Sequence, residues 1–217
     1  MTRKAIIFDL DGTLIDSLTD IALCANEVLK EFNLPTHNIE DYKKFVGGGA
    51  LFLMRNCSPS NLSEEEVYKL FERFKEVYDT AVYTNTKPYE MIDELLEKLV
   101  EKNYKIGILS NKPHKFTLKY VDKFFSKYNL QEVHGQKESI AKKPDPTGAI
   151  NIADTFKLSP ENIYFIGDSD VDMQTAKNAK MQAVGVEWGF RTVEELKANG
   201  ADYIVKTPLE ILDLLEE

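Results

Sequence analysis

Two aspartates, Asp9 and Asp11, stand in the stretch Phe8-Asp9-Leu10-Asp11-Gly12-Thr13, directly after the apolar run Ala5-Ile6-Ile7. In an extended segment residues i and i+2 point to the same side, so both carboxylates face one volume. Carboxylates that close repel each other, and one would keep its proton unless a cation lies between them. Gly12 permits a sharp turn there, and Thr13 adds a hydroxyl and an amide at its mouth. The pattern suits a Mg²⁺-assisted reaction site. On these residues alone, a solvated strand end followed by an Asp-Gly turn suits it as well.

Further strand ends carry reactive side chains. Ile106-Gly107-Ile108-Leu109 runs into Ser110-Asn111-Lys112, and Lys143 follows in Lys142-Lys143-Pro144-Asp145-Pro146. Ile163-Tyr164-Phe165-Ile166 runs into Gly167-Asp168-Ser169, with Asp172 shortly after. Open parallel sheets bind ligands outside the carboxyl ends of their strands, and an ordered set of such endings favours a site over chance.

In these residues the chain resembles the haloacid dehalogenase superfamily of phosphohydrolases. Asp9-Leu10-Asp11-Gly12-Thr13 matches the first motif, Ser110 the second, Lys143 the third, and Gly167-Asp168 with Asp172 the fourth. Within that superfamily, Ser110-Asn111-Lys112-Pro113, Lys143-Pro144-Asp145-Pro146 and Phe45-Val46-Gly47-Gly48-Gly49-Ala50 look most like phosphoglycolate phosphatases. The resemblance implies a phosphomonoester hydrolase with Mg²⁺ as cofactor. Asp9 would be the nucleophile, forming an aspartyl-phosphate, and Asp11 the acid and base. The metal would be held by the Asp9 and Asp168 carboxylates and the main-chain carbonyl of Asp11. Gly12, Thr13, Ser110, Asn111, Lys112 and Lys143 would bind phosphate, and Gly48 and Gly49 the rest of the substrate. Asp172 would stand behind the metal or steady Lys143.

These groups need a scaffold. Apolar runs predict strands at Lys4–Phe8, Lys105–Leu109, Ile163–Ile166, Ala183–Val186 and Tyr203–Val205, with helical patterns between them. Such alternation reads as α/β with a parallel sheet; the resemblance makes it a Rossmann-like doubly wound core with an inserted all-helical cap. Roughly ninety residues separate the first two runs, far beyond the dozen or so a parallel crossover needs. The predicted division is a core of residues 1–15 and 84–217 and a helical cap of residues 16–83. In the cap, Leu18, Ile21, Ala22, Ala25, Leu29 and Phe32 share one helical face behind a Ser17 cap. Ser63 and Glu66 form a capping box ahead of Val67, Leu70, Phe71, Phe74 and Tyr78. Gly47-Gly48-Gly49 would cost stability inside a helix. A tight turn or a close approach to ligand would explain it, and Lys43, Lys44 or Arg55 nearby could meet a substrate carboxylate.

The net charge of −9 disfavours nucleic acid, whose binding rests on basic surface, and requires a locally positive site for an anionic substrate. No apolar run is long enough for a membrane span. Met1-Thr2-Arg3-Lys4 leaves little room for a signal peptide, and two cysteines, Cys24 and Cys57, suit a reducing cytoplasm. The expected protein is thus cytoplasmic, a monomer or homodimer, acting on a small phosphomonoester without a nucleic-acid or membrane partner. His37, His114 and His134 show no zinc spacing. Asp20 and Asp41 are expected on cap surfaces or helix ends, Trp188 in packing, and Asp145 beside Lys143 as a possible orienting group. A superfamily phosphomutase would commonly read Asp-Gly-Val where Asp11-Gly12-Thr13 stands. A non-catalytic binding module would have lost one of Asp9, Asp11, Lys143 and Asp168. A dehalogenase would need neither Asp11 nor a metal.

Overall fold

The structure, a computed structural model, describes residues 5–82 and 84–216. Lys4 at the expected start of the first strand, the segment before it, Tyr83 at the expected end of the cap, and Glu217 lie outside the described residues. The chain begins with strand β1 (Ala5–Phe8), the short β2 (Ile15–Asp16) and helix α1 (Leu18–Glu31). After a 3₁₀ turn at Ile39–Lys44 come α2 (Ala50–Cys57), α3 (Glu64–Thr80), β3 (Lys87–Pro88), α4 (Ile92–Glu101), β4 (Lys105–Pro113) and α5 (His114–Phe125). The remainder alternates as β5 (Glu132–Gln136), α6 (Thr147–Phe156), β6 (Ile163–Gly167), α7 (Asp170–Asn178), β7 (Gln182–Val186), α8 (Val193–Ala198), β8 (Tyr203–Val205) and α9 (Glu210–Glu216).

Six strands form one sheet in the order β5-β4-β1-β6-β7-β8, and every neighbouring pair is parallel. The chain moves outward from β1 through β4 to β5, then crosses back to β6 and outward again. The carboxyl ends of β1, β4 and β6 therefore meet at a topological switch point, where open sheets leave a crevice.

Strand periodicity explains how both faces are covered. Successive side chains alternate sides, and Ile6 and Phe8 join a cluster with Ile92, Leu95 and Leu99 of α4. Ala5 and Ile7 join another with Ile152 of α6 and Met173 of α7. All four β1 side chains are fully buried, which for Ile or Phe contributes about 1.5–3 kcal/mol each. The doubly wound α/β reading holds.

The sequence pattern missed β5, because Glu132-Val133-His134-Gly135-Gln136 is a half-exposed polar edge strand. It also missed the β2/β3 ribbon, which pairs Ile15 with Pro88 and Asp16 with Lys87 and is too short for periodicity to register. The chain between the ribbon strands carries α1, α2 and α3, whose apolar faces share a separate core that also takes in Phe116 of α5. The Ser63–Glu66 capping box forms as expected. Phe32 ends the α1 face 42% exposed rather than buried.

Beside the ribbon one expectation holds and one is overturned. Asp20 stands at a helix end, in the first turn of α1, and is buried there rather than on a surface. It accepts hydrogen bonds from Asn85 N and Nδ2 and from Thr86 N and Oγ1 at 2.6–3.2 Å, tying the return linker to the first turn of α1. Ser17 occupies the N-cap position of α1 without capping it, because its hydroxyl donates to Asp11 Oδ1 at 2.6 Å. Among the described residues no helix is long and apolar enough to cross a membrane.

Candidate active site

β1 ends at Phe8, and the next residues turn tightly: Thr13 N and Leu14 N both donate to Leu10 O. Gly12 sits at φ +87°, a left-handed conformation that L side chains rarely adopt. A Cβ there would lie 2.3 Å from Asp168 Oδ2, and one at Gly189 would lie 2.1 Å from Asp168 Cβ. Two glycines thus make the slot that lets the Asp168 carboxylate stand beside the first motif. Asp168 Oδ2 accepts from Phe190 N at 2.8 Å and Oδ1 from Thr13 Oγ1 at 3.3 Å. Trp188 packs as expected and also donates its indole N–H to Thr13 O at 3.0 Å, bracing the same turn.

Lys143 is the cation at the centre. Its Nζ lies 2.8 Å from Asp9 Oδ1 and 2.6 Å from Asp172 Oδ1. Asp172 accepts from Ser169 N and Oγ through its other oxygen. It is therefore both a helix-start acid and the partner of Lys143. Asp145 does not orient the lysine. Its carboxylate accepts from Thr147 N at 2.9 Å, a local turn bond open to an aspartate two residues upstream.

Asp11 faces a different cation. Lys112 Nζ reaches its two oxygens at 2.8 and 3.0 Å and also donates to Tyr78 Oη of α3 at 2.9 Å. With the Ser17 bond, this fixes the Asp11 carboxylate at the pocket edge. Lys112 is buried, lying about 5 Å from the ring centres of Tyr78 and Tyr120, a range in which cation–π attraction offsets part of its desolvation.

Asp9, Asp168 and Asp172 are each buried and offer oxygens within 4.8 Å of one another; among the described residues no other group of His, Cys, Asp and Glu is gathered so. The Asp11 carboxylate is outside that group. Lys143 balances one of the three charges, and burying the others unpaired is costly. Accordingly, burial, with repulsion from Asp172 and Asp11, pushes Asp9 up to about 7 despite the opposing pull of Lys143. Asp168 is raised well above the carboxylate range by burial and by Asp172 and Asp9. Burial alone would lower Lys143, but Asp172 and Asp9 together raise it, so the lysine stays cationic. A dry, all-oxygen site with two uncompensated negative charges fits a hard divalent cation.

A cavity of about 50 Å³ opens beside these groups, lined on the core side by Asp9, Asp11, Ser110, Asn111 and Lys112. Its helical side is Ile21, Val46, Ala50, Leu53 and Phe74 with the backbone of Gly47 and Gly49. Gly49 has φ +88°, and a Cβ there would sit 3.0 Å from Asn111 O, so the loop meets the end of β4 backbone to backbone. Gly48 faces away, toward Phe52. Lys43, Lys44 and Arg55 do not line the cavity; Lys43 pairs with Glu40 and Arg55 with Glu64 at the surface. One cation beside the loop is Arg191, which sequence reasoning missed. It donates to Lys43 O and to Val46 O, the latter at 2.9 Å. No motif marks it, because it acts on carbonyls of a distant segment. Burial pushes the Cys24 and Cys57 thiols up to about 12, which fits packing rather than reactivity.

Residues 6–186 match the haloacid dehalogenase-like hydrolase family. A phosphoglycolate phosphatase of Aquifex aeolicus is 30% identical, over 98% of this chain and 97% of its own. One from Haemophilus influenzae is 31% identical over 98% of each. The crystal structure of a predicted phosphoglycolate phosphatase from Haemophilus somnus superposes with a TM-score of 0.90 at 29% identity, over 99% of each chain. The chain belongs to the haloacid dehalogenase-like hydrolase family, among its phosphatases.

Proposed function

We propose that this member of the family is a Mg²⁺-dependent phosphomonoester hydrolase whose preferred substrate is 2-phosphoglycolate or a similarly short phosphorylated acid. The observation that carries the reading is Lys143 between Asp9 and Asp172, in a cluster whose remaining negative charge calls for a metal. Asp9, Asp168 and Asp172 offer side-chain oxygens to it, and the main chain of Asp11 is the remaining candidate. When bound, Mg²⁺ neutralises charge so that an anionic nucleophile can meet an anionic phosphoryl group.

Phosphoryl transfer depends on positioning and charge neutralisation. Asp9 attacks phosphorus and carries the phosphoryl group as an aspartyl-phosphate, splitting one hard step into two. Lys143, Ser110 and the main-chain amides around Gly12 and Asn111 hold the phosphoryl oxygens as charge develops. Asp11, held by Ser17 and Lys112, would first take up a proton, then give it to the departing alcohol, and afterwards take a proton from the attacking water.

Residues 16–83 act as a cap over this site. The small cavity favours a short leaving group over a hexose. With Lys43, Lys44 and Arg55 elsewhere, a substrate carboxylate would meet the main-chain amides of Gly47–Ala50 at the start of α2, where the helix dipole favours negative charge. Phosphate release from a panel of phosphomonoesters, with Mg²⁺ and with chelator, tests the reading. The expected result is metal-dependent hydrolysis with 2-phosphoglycolate among the best substrates. Isomerisation of glucose 1-phosphate would instead make the protein a phosphomutase, and no turnover on any ester would contradict both.

A further inference from the structure

The glycine loop is held by side chains from three separate core segments. Arg191, after β7, binds the carbonyls of Lys43 and Val46. Lys142, ahead of α6, donates to Gly48 O at 3.1 Å. Asn111, near the end of β4, donates from Nδ2 to Gly47 O at 3.1 Å. Asn111 differs from the other two because its remaining bonds run to the catalytic lysine's own backbone. Its Oδ1 accepts from Lys143 N at 2.8 Å, and its Nδ2 donates to Lys143 O at 3.0 Å.

A side-chain amide has two N–H donors and one carbonyl acceptor. In Asn111 both donors are spent, one on the loop and one on Lys143, and the acceptor holds Lys143 as well. The group is buried, so these bonds face little competition from water, and an unpaired donor there would be costly. Seating the loop therefore satisfies the amide's second donor and fixes the side chain whose other two bonds clamp the Lys143 backbone. The same lysine holds Asp9 at 2.8 Å, where small displacements weigh heavily on rate.

We propose that Asn111 is a positioning residue that couples the seating of the Gly47–Gly49 loop to the placement of Lys143 against Asp9. The inference rests on the phosphatase reading for its consequence on rate, but not for the coupling itself. Cap seating on this account is sensed through one amide. A substrate that fails to seat the loop leaves Lys143 less well held and is turned over slowly, even when its phosphoryl group fits.

Two measurements test this. The first needs no turnover: amide hydrogen exchange at Lys143 by NMR, in the wild type and in Arg191→Gln, which loosens the loop without touching Asn111 or Lys143. Faster exchange at both the loop and Lys143 is expected; acceleration confined to the loop would overturn the coupling. The second is a double-mutant cycle with Lys143→Ala. Asn111→Ala should lower kcat about 10- to 100-fold, as loss of a residue supporting a reacting group commonly does, with a smaller change in KM. In the Lys143→Ala background it should cost nothing further. Multiplying losses, or an unchanged kcat in the single variant, would show that Asn111 acts independently of the lysine. Should Asn111→Ala not fold, Asn111→Asp, which keeps the acceptor and loses both donors, takes its place. A wild type inactive on every phosphomonoester would defeat the phosphatase reading while leaving the exchange result to decide the coupling.

Discussion

The core wall of the pocket and its helical wall are built in opposite ways. On the core side, charged groups are forced together out of water: Asp11 against Lys112 and Asp9 at the cavity itself, with Lys143, Asp168 and Asp172 gathered around Asp9 beside it. On the helical side, Ile21, Val46, Leu53 and Phe74 present hydrocarbon, and the polar groups are the glycine-loop backbone and the Tyr78 hydroxyl that meets Lys112. The first arrangement stores electrostatic repulsion that, on the proposed function, a bound divalent cation would relieve. The second offers shape and a few main-chain dipoles, which on the proposed function would sort leaving groups without joining the chemistry. Substitutions should separate along the same line, the core wall changing rates on every substrate and the helical wall changing preference.

The largest effect is expected at Asp9. Asp9→Asn keeps the shape and removes the nucleophile, so turnover should fall to background on every ester while circular dichroism stays unchanged. Rates near wild type, with deamidation excluded by mass, would break the core half of the comparison. Asp11→Asn comes next, with kcat/KM falling by about 10²–10⁴, the usual weight of general acid–base catalysis. The loss in the first step should shrink for esters of very acidic alcohols, and an equal loss for good and poor leaving groups would remove Asp11 from the acid role.

On the helical wall, Gly49→Ala puts a methyl group at a positive φ and 3.0 Å from Asn111 O. A strained residue of this kind costs about 1–3 kcal/mol, so kcat/KM for 2-phosphoglycolate should drop about 5- to 100-fold, with a smaller drop for a small generic ester. Equal losses on both would mean that the loop does not select.

The smallest effect on chemistry is expected at Asp20, below both walls. Its four hydrogen bonds tie the linkers together, and bonds to charged groups are worth about 1.5–3 kcal/mol. Asp20→Asn should lower unfolding stability by that order and leave kcat near wild type. Burial alone would raise Asp20, but the bonds from Thr86 and Asn85 hold it below the usual range. The stability difference should thus be full above pH about 4, the ordinary aspartate value, and shrink as pH falls through the lowered folded value. Urea unfolding of both proteins across that range checks the sign.

The same asymmetry decides what could be read from sequence. Asp9, Asp11, Ser110 and Asp168 stand at the ends of apolar runs, where strand periodicity fixes their placement, whereas Lys143 lies in the loop before α6 and was marked only by the family motif; the structure brings all five to one crevice. Arg191 and Lys142 escaped notice because their partners are carbonyls far away in sequence, which no residue type announces. The partners of Ser17, Asp20 and Asp145 could not be foreseen, because each is a short polar residue near a helix start. Tertiary partners at Asp11 and the 85–86 linker claimed the first two, and a turn bond claimed the third. β5 and the β2/β3 ribbon lay below the reach of periodicity for lack of apolar residues or of length.

The central claim is that the phosphoryl group passes through Asp9. A rapid acid quench of a single turnover, with ³²P-labelled 2-phosphoglycolate and Mg²⁺, tests it most directly. The account predicts transient label on the protein, stable to acid and lost in base, that maps to the peptide containing Asp9 and is absent from Asp9→Asn. Phosphate released with no labelled protein at any time, or label on a residue other than Asp9, would contradict it.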